Sequence, residues 1–329
     1  MTRLIAGLCL LLIAVALFSL HAGLSFYSPA TVWSALAGGE GADALIVRTL
    51  RVPRTLIGLA VGAALGLSGL LMQTVTRNPV AEPGLLGVNA GAALAVTLAV
   101  TVFGTGSLAG IGAAAVAGAL LTTGLVFAIS LSAGGSGNPA TTLLAGFTVA
   151  ALLASFTQTL LLVDETALET LLFWLSGSFA DRPLTLLQLG GPLLVLGAGG
   201  SLVLASALDV LRLDDTSAQS IGLNVAAVRL GALALAALLA AGAVAMAGPV
   251  MFLGLAAPHL ARLMTGPVLP SIRHLVFLSM LTGAVLATSA DILARLIVAP
   301  GEAPMSAVLA LIGVPMLIHI LRRRKGLVT

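Results

Sequence analysis

Gly66-Leu67-Ser68-Gly69 sets a serine between small residues, in a G-x-S-G pattern that can present a nucleophile for peptide hydrolysis within a membrane. Such a serine needs a base within hydrogen-bond reach. His259, inside a later apolar run, is the one plausible partner. The same residues also extend a stripe of Gly58, Gly62 and Gly66 at four-residue spacing. Small residues in that register let helix backbones approach closely in lipid, and such stripes are common there. The packing reading of Ser68 is therefore preferred to the catalytic one. His21, His259, His274 and His319 are scattered without paired metal-ligand spacing. Cys9 is the sole cysteine, which excludes disulfide frameworks and Cys-rich metal sites. No metal site is expected. No G-x-x-x-x-G-K-[ST] loop is present, and the single lysine is Lys325. If ATP drives this protein, another subunit binds it. Asp291 is the only acid placed within an apolar run, toward one end. Ion-coupled transporters usually keep ionisable groups at mid-membrane, so this scarcity argues against ion coupling.

These residues must be positioned by elements that live in lipid. Hydrophobic residues make up 59% of the 329 and charged ones 8%, with a mean hydropathy of +1.15. A soluble chain carries roughly 25% charge. The apolar runs are long and continuous, whereas a membrane barrel would show short alternating segments. Lipid offers the backbone no hydrogen bonds, so such runs are helices. The reading is an all-α polytopic membrane protein, one domain over 1–329, with about ten spans of some 20 residues each. They are placed at 4–22, 54–75, 84–103, 107–131, 139–162, 184–208, 225–246, 251–265, 274–297 and 303–321. With both termini in the cytoplasm, Arg3, Arg77, Arg212, Arg229, Arg262, Arg273 and the Arg322–Lys325 tail lie inside. They outnumber Arg48, Arg51, Arg54, Arg182 and Arg295 outside, which satisfies the positive-inside rule. The net charge of +3 thus reflects topology rather than nucleic-acid binding.

Two inner segments stand out for their polarity. Arg77-Asn78-Pro79-Val80-Ala81-Glu82-Pro83-Gly84 reads as a tight turn between spans. Leu211 to Leu223 has helical spacing, with Asp214 and Asp215 in its first turn, where carboxylates suit the helix dipole. By itself it is equally a solvated connector or a docking peg.

Several segments resemble the FecCD-type permeases of ABC importers for ferric siderophores, haem and cobalamin, and they occur in that family's order. They are Arg51-Val52-Pro53-Arg54 with the Gly-rich run to Gln73; Arg77 to Gly87; Trp174-Leu175-Ser176-Gly177-Ser178; Asp214 to Gly222; Gly254-Leu255-Ala256-Ala257-Pro258-His259-Leu260-Ala261-Arg262; and Asp291 to Arg295. Glu302-Ala303-Pro304 and Ala310 to Pro315 complete the set. Val80, Asp214 and Met305-Ser306 depart from the usual residues. Those departures bear on the substrate rather than on the family.

The resemblance implies a transport subunit of the cell inner membrane, not an enzyme. It implies a second permease subunit, as homodimer or heterodimer, and two cytosolic ATPase subunits that bind ATP and Mg. It also implies a periplasmic or lipid-anchored binding protein that delivers an iron chelate or cobalamin. Arg51, Arg54 and Arg295 would receive acidic residues of that binding protein. Asp214, Asp215, Ala218 and Gly222 would couple to the ATPase. Asn78 and Val80, with Ser136, Gly137 and Asn138, would close the inner end of the path. The alternatives are an ion-coupled secondary transporter, or an intramembrane serine protease using Ser68 and His259.

Overall fold

The computed structural model of the chain describes residues 1–23, 25–133, 138–266, 270–297, 303–311 and 313–315. Among these residues every regular element is a helix. Helix α1 spans Thr2–His21, and two short helices follow, α2 (Pro29–Leu36) and α3 (Ala42–Ile46). A π-helical turn, Val47–Arg51, runs straight into α4 (Val52–Thr76). After a 3-10 turn at Pro83–Leu86 come α5 (Val88–Thr101), α6 (Leu108–Ser132), α7 (Pro139–Leu161) and α8 (Glu165–Leu175). The rest are α9 (Thr185–Leu211), α10 (Asp215–Ser220), α11 (Val225–Ala247), α12 (Leu253–Met264) and α13 (Ile272–Ile297). A further apolar helix occupies Met305–Pro315.

Among the described residues seven helices are long and apolar enough to cross a membrane: α1, the continuous Ala42–Thr76, α6, α7, α9, α11 and α13. The other three expected spans correspond to shorter helices. At 1.5 Å per residue, the 14 residues of α5 reach about 21 Å and the 12 of α12 about 18 Å. Both fall short of a hydrocarbon core of about 30 Å. The expected span at 303–321 runs past the described residues. Sequence reading also left the stretches 23–53 and 163–183 without helices, whereas α2, α3 and α8 fold there.

Local chemistry explains where the helices begin. Ser107, Asn138, Asp214 and Asn224 each accept a backbone N–H in the first turn of α6, α7, α10 and α11. Pro53 and Pro139 sit in the first turns of α4 and α7, where a missing donor costs nothing.

Helix α4 is the axle of the bundle. It packs on α9, α11, α12 and α13, and 78% of its apolar window is buried, against 17% for α1. The glycine stripe makes this possible. A Cβ on Gly62 would meet the carbonyl of Gly283, one on Gly66 that of Ser279, and one on Gly69 that of Gly254. Backbone therefore touches backbone along both contacts. Ser68, on another face of α4, is wholly buried and donates to the Ala236 carbonyl at 2.5 Å. Its hydroxyl is occupied in α4–α11 packing and is closed to water, which disfavours the protease alternative.

Helix α12 carries Pro258 in its interior. Proline has no N–H, so the carbonyl of Gly254 loses its helical partner. Gln73 of α4 replaces it: its Nε2 donates to Gly254 O and Leu255 O, both at 3.3 Å. Arg262, one turn beyond Pro258, donates to the Oε1 of the same glutamine. One amide side chain thus ties the broken helix to the axle, and an arginine fixes that amide's orientation.

Candidate functional site

The residues singled out above gather at opposite ends of the bundle. At the Arg51 end, α1 stops at His21 and leaves its last carbonyls without helical donors. Two arginines fill that need. Arg51 donates to Leu20 O (2.9 Å), His21 O (2.7 Å) and Ser25 O, with its guanidinium 4.2 Å from the ring centre of Tyr27. Arg295 donates to Ser19 O (3.0 Å), Ala22 O (3.1 Å) and Ser19 Oγ. Positive charge at a helix C-terminus also complements the dipole. Asp291 lies between Arg54 and Arg295 and accepts from both.

All three arginines line one cleft of about 640 Å³ with Tyr27, Phe173, Ser176, Asp181 and Pro304. They differ in access. Arg51 and Arg295 are 8% and 3% exposed, and the Arg54 side chain is 12% exposed. Arg48, Arg51 and Arg54, close in sequence, do not fan over the surface. Arg48 alone is exposed, because α1 draws Arg51 inward and Asp291 draws Arg54 across. The i,i+4 pair of Asp291 and Arg295 is buried and shared with Arg54.

Arg182, between α8 and α9, is the fifth arginine of this end and is 5% exposed. Its Nε donates to Ser178 O at 3.2 Å, and its guanidinium lies over the Phe173 ring. Burial pushes its pKa below the ordinary arginine value. A loop arginine reads as solvated in sequence, so this burial carried no signal.

At the Asn78 end, α4 terminates on Arg77 in the left-handed conformation (φ 50°, ψ 29°). Asn78 then closes a turn on itself, its Oδ1 accepting from Val80 N at 3.1 Å. Glu82 follows, and burial pushes its carboxyl above the usual range, partly offset by a hydrogen bond from the Phe252 backbone. Asn138 caps α7 through Ala140 N at 3.0 Å, and α7 packs on the 3-10 turn that continues the Asn78 loop. Ser136 and Gly137 lie outside the described residues.

The polar segment after α9 does form a helix, α10. Asp214 caps it, accepting from Ser217 N at 2.7 Å and Ser217 Oγ at 2.6 Å. The Ser217 hydroxyl, then its amide, hold the Asp214 carboxyl below the usual range. Gly222 leaves the helix at φ +83°, a conformation suited to glycine. Ala218 is fully buried, so it seats α10 on the chain instead of facing outward. Asp215 also turns inward, toward Arg77 and Arg229. Among the residues that face away, with Thr216, Ser217, Gln219 and Ser220, are two apolar ones, Leu213 and Ile221, 71% and 69% exposed.

Among the described residues no three His, Cys, Asp or Glu side chains converge to hold a metal. The arrangement is one of ion pairs, caps and packed backbones around apolar helices, with polar clefts at two ends.

Known proteins match the whole of this design. The pattern of the FecCD transport family covers residues 11–323. The ferric enterobactin transport system permease protein FepD of Escherichia coli is 41% identical over 327 residues, covering 98% of this chain and 96% of that one. The hemin transport system permease protein HmuU of Yersinia pestis is 35% identical over 331 residues, again covering 98% and 96%. An inward-facing conformation of a metal-chelate type ABC transporter superposes with a TM-score of 0.86 at 30% identity, covering 98% of this chain and 100% of that one. Agreement in sequence and backbone leads to one conclusion: this chain belongs to the FecCD transport family and is a multi-pass membrane permease of the ABC-importer kind.

Proposed function

We propose that the chain forms the membrane path of an importer for a ferric siderophore of the enterobactin class. It sits in the inner membrane with both termini and the Asn78 end in the cytosol, beside a second permease subunit. Two cytosolic ATPase subunits bind ATP and Mg and hydrolyse the nucleotide; this chain holds neither. A binding protein, periplasmic or lipid-anchored, delivers the chelate at the Arg51 end. There the Arg54 side of the cleft, with Arg51 and Arg295 behind it, meets acidic residues of that protein. Asn78 and Val80, with Ser136, Gly137 and Asn138, close the inner mouth.

The observation that carries this reading is the α10 segment. It is seated on the chain through Ala218 and Asp215, yet presents Leu213 and Ile221 outward. Apolar side chains this exposed on a polar connector suit burial against a partner, and a short helix continuous with both α9 and α11 can pass a partner's movement to both. The chelate class rests on the 41% identity to the ferric enterobactin permease.

The test is uptake of radiolabelled ferric enterobactin by proteoliposomes carrying the permease, its ATPase subunits and an external binding protein. Uptake is expected only with ATP on the ATPase side and the binding protein on the other. Uptake driven by a proton or sodium gradient without ATP would overturn the reading. ATP-driven uptake of haem or cobalamin with none of ferric enterobactin would overturn the chelate class alone.

A further inference from the structure

We propose that Asp215 is a positioning residue that relays movement of α10 to the inner mouth of the path. The inference rests on the reading above, in which α10 receives the ATPase. A residue on such a peg is expected to face the partner, but Asp215 faces the other way. Its Oδ1 accepts from Arg77 Nη2 at 2.9 Å and from Arg229 Nη2 at 2.8 Å.

Arg77 is the residue next to Asn78. It is a non-glycine residue held in the left-handed region (φ 50°), which costs on the order of 1 kcal/mol or more and persists only where the surroundings impose it. Its guanidinium is held at two places, one on α10 and one on the last residue of α9. Arg77 Nη2 donates to Asp215 and, at 2.7 Å, to the carbonyl of Leu211, where α9 ends. The residue that begins the Asn78 turn is thus tied through its side chain to α10 as well as to the end of α9. On its other side Asp215 borders an open cleft of about 640 Å³, together with Asn138, Pro139, Gln219, Asn224 and Arg229. Asp215 therefore stands between Arg77, where the Asn78 turn begins, and the cleft bordered by Asn138, which caps α7.

The strengths of the two pairs suit a relay. Arg77 and Asp215 are 42% and 40% exposed, so their pair is weak and readily exchanged with water. Arg229 is 11% exposed and anchors the carboxylate to α11. When α10 shifts, Asp215 keeps its anchor and Arg77 loses or regains its partner. Released, Arg77 leaves the left-handed conformation and the Asn78–Val80 turn reorients. Two arrangements of one turn, biased by one carboxylate, meet the physical requirement for coupling two sites.

The test uses the intact importer, with its ATPases, in lipid nanodiscs. Cys9→Ser removes the only native thiol, and Val80→Cys reports on the mouth through its rate of reaction with a water-soluble maleimide, with and without ATP and vanadate. A separate Ile221→Cys chain reports contact with the ATPase by crosslinking. In the otherwise native sequence, the labelling rate should change with nucleotide and the crosslink should form. Asp215→Asn is expected to abolish the nucleotide dependence of labelling while the Ile221→Cys crosslink persists. Asp215→Glu should restore it. Undiminished nucleotide dependence in Asp215→Asn overturns the relay. Loss of the crosslink in Asp215→Asn also overturns it, since Asp215 then serves docking. Absence of the crosslink in the parent chain would instead remove the ATPase reading of α10 on which the relay stands.

Discussion

Arg54 and Asp291 stand 237 residues apart in the chain and 2.8 Å apart in space. Arg295, four residues beyond Asp291, closes on the second carboxylate oxygen. One carboxylate, 2% exposed, therefore serves two guanidinium groups. The positive charge left over is spread over the carbonyls that end α1. The Arg51 end is thus a shared network in which α1, α4 and α13 are mutually dependent.

Removing the centre of that network should cost more than removing either arm. Asp291→Asn leaves two buried cations facing each other, and breaking a buried pair in this way costs about 3–5 kcal/mol. Arg54→Gln, at the most open position, should lower the melting temperature less than Asp291→Asn does. Thermal unfolding of the detergent-solubilised permease, followed by size-exclusion chromatography, checks this order. Equal losses would show that the carboxylate is not the hub.

Docking at this end should be electrostatic and graded by access. Arg54→Glu is expected to abolish complex formation with the binding protein, and an acid-to-base change on that protein should partly restore it. Wild-type docking should weaken as salt rises, because exposed charges are screened over about 8–10 Å at physiological ionic strength. Surface plasmon resonance at two salt concentrations measures both effects. Full affinity in the Arg54→Glu protein would remove the arginine cleft from the docking surface.

The tie between α4 and α12 depends on a donor. Gln73→Leu should destabilise the chain by at least about 1–3 kcal/mol, because carbonyls of a proline-broken helix lose their partner. Gln73→Glu is the sharper variant. It can still face Arg262, yet offers nothing to Gly254 O and Leu255 O, so it should not rescue. Melting temperatures of the two variants at neutral pH decide the matter.

Asp214 gives α10 a defined response to acid. Hydrogen bonds from Ser217 to its carboxylate lower its pKa in the folded chain. Its stabilising effect on the helix is therefore complete above the ordinary aspartate value of about 3.9. It is lost as pH falls through the lower folded value. Hydrogen exchange at the Ser217 and Ala218 amides, corrected for intrinsic rates, should stay slow down to about pH 4 and accelerate below it. In Asp214→Asn the cap persists and that acceleration should vanish.

Much of this architecture was legible because it follows from solvent and periodicity. A chain with 8% charge has to fold in lipid, and the Gly58–Gly62–Gly66 stripe announces a close helix contact whatever its partner. Partner identity is another matter. Nothing in the spacing of Pro258 reveals that Gln73, nearly two hundred residues away, supplies the missing donor. The polar segment after α9 was read correctly as helical, but which side chains face outward was not. Ala218, small enough for either role, proves buried, and Asp215 turns toward the chain because two arginines await it. Arg51, Arg182 and Arg295 were counted as surface charges by position alone. Their burial depends on acceptors that other elements bring, namely the carbonyls ending α1, Ser178 O and Asp291. Helix α8 escaped notice because its 11 residues are too short for a span and lie between polar stretches.

The backbone contact of α4 with α13 also restricts how the protein can work as a machine. Where Gly62 lies against Gly283 and Gly66 against Ser279, there is no side-chain layer to act as a bearing. Turning α4 about its axis would replace these glycines at the contact with residues that carry side chains, for which the backbone spacing leaves no room. The two helices, with α12 pinned beside them through Gln73, form a stator. Transport strokes must then be borne by elements outside this block, among them the α10 connector beside its open cleft.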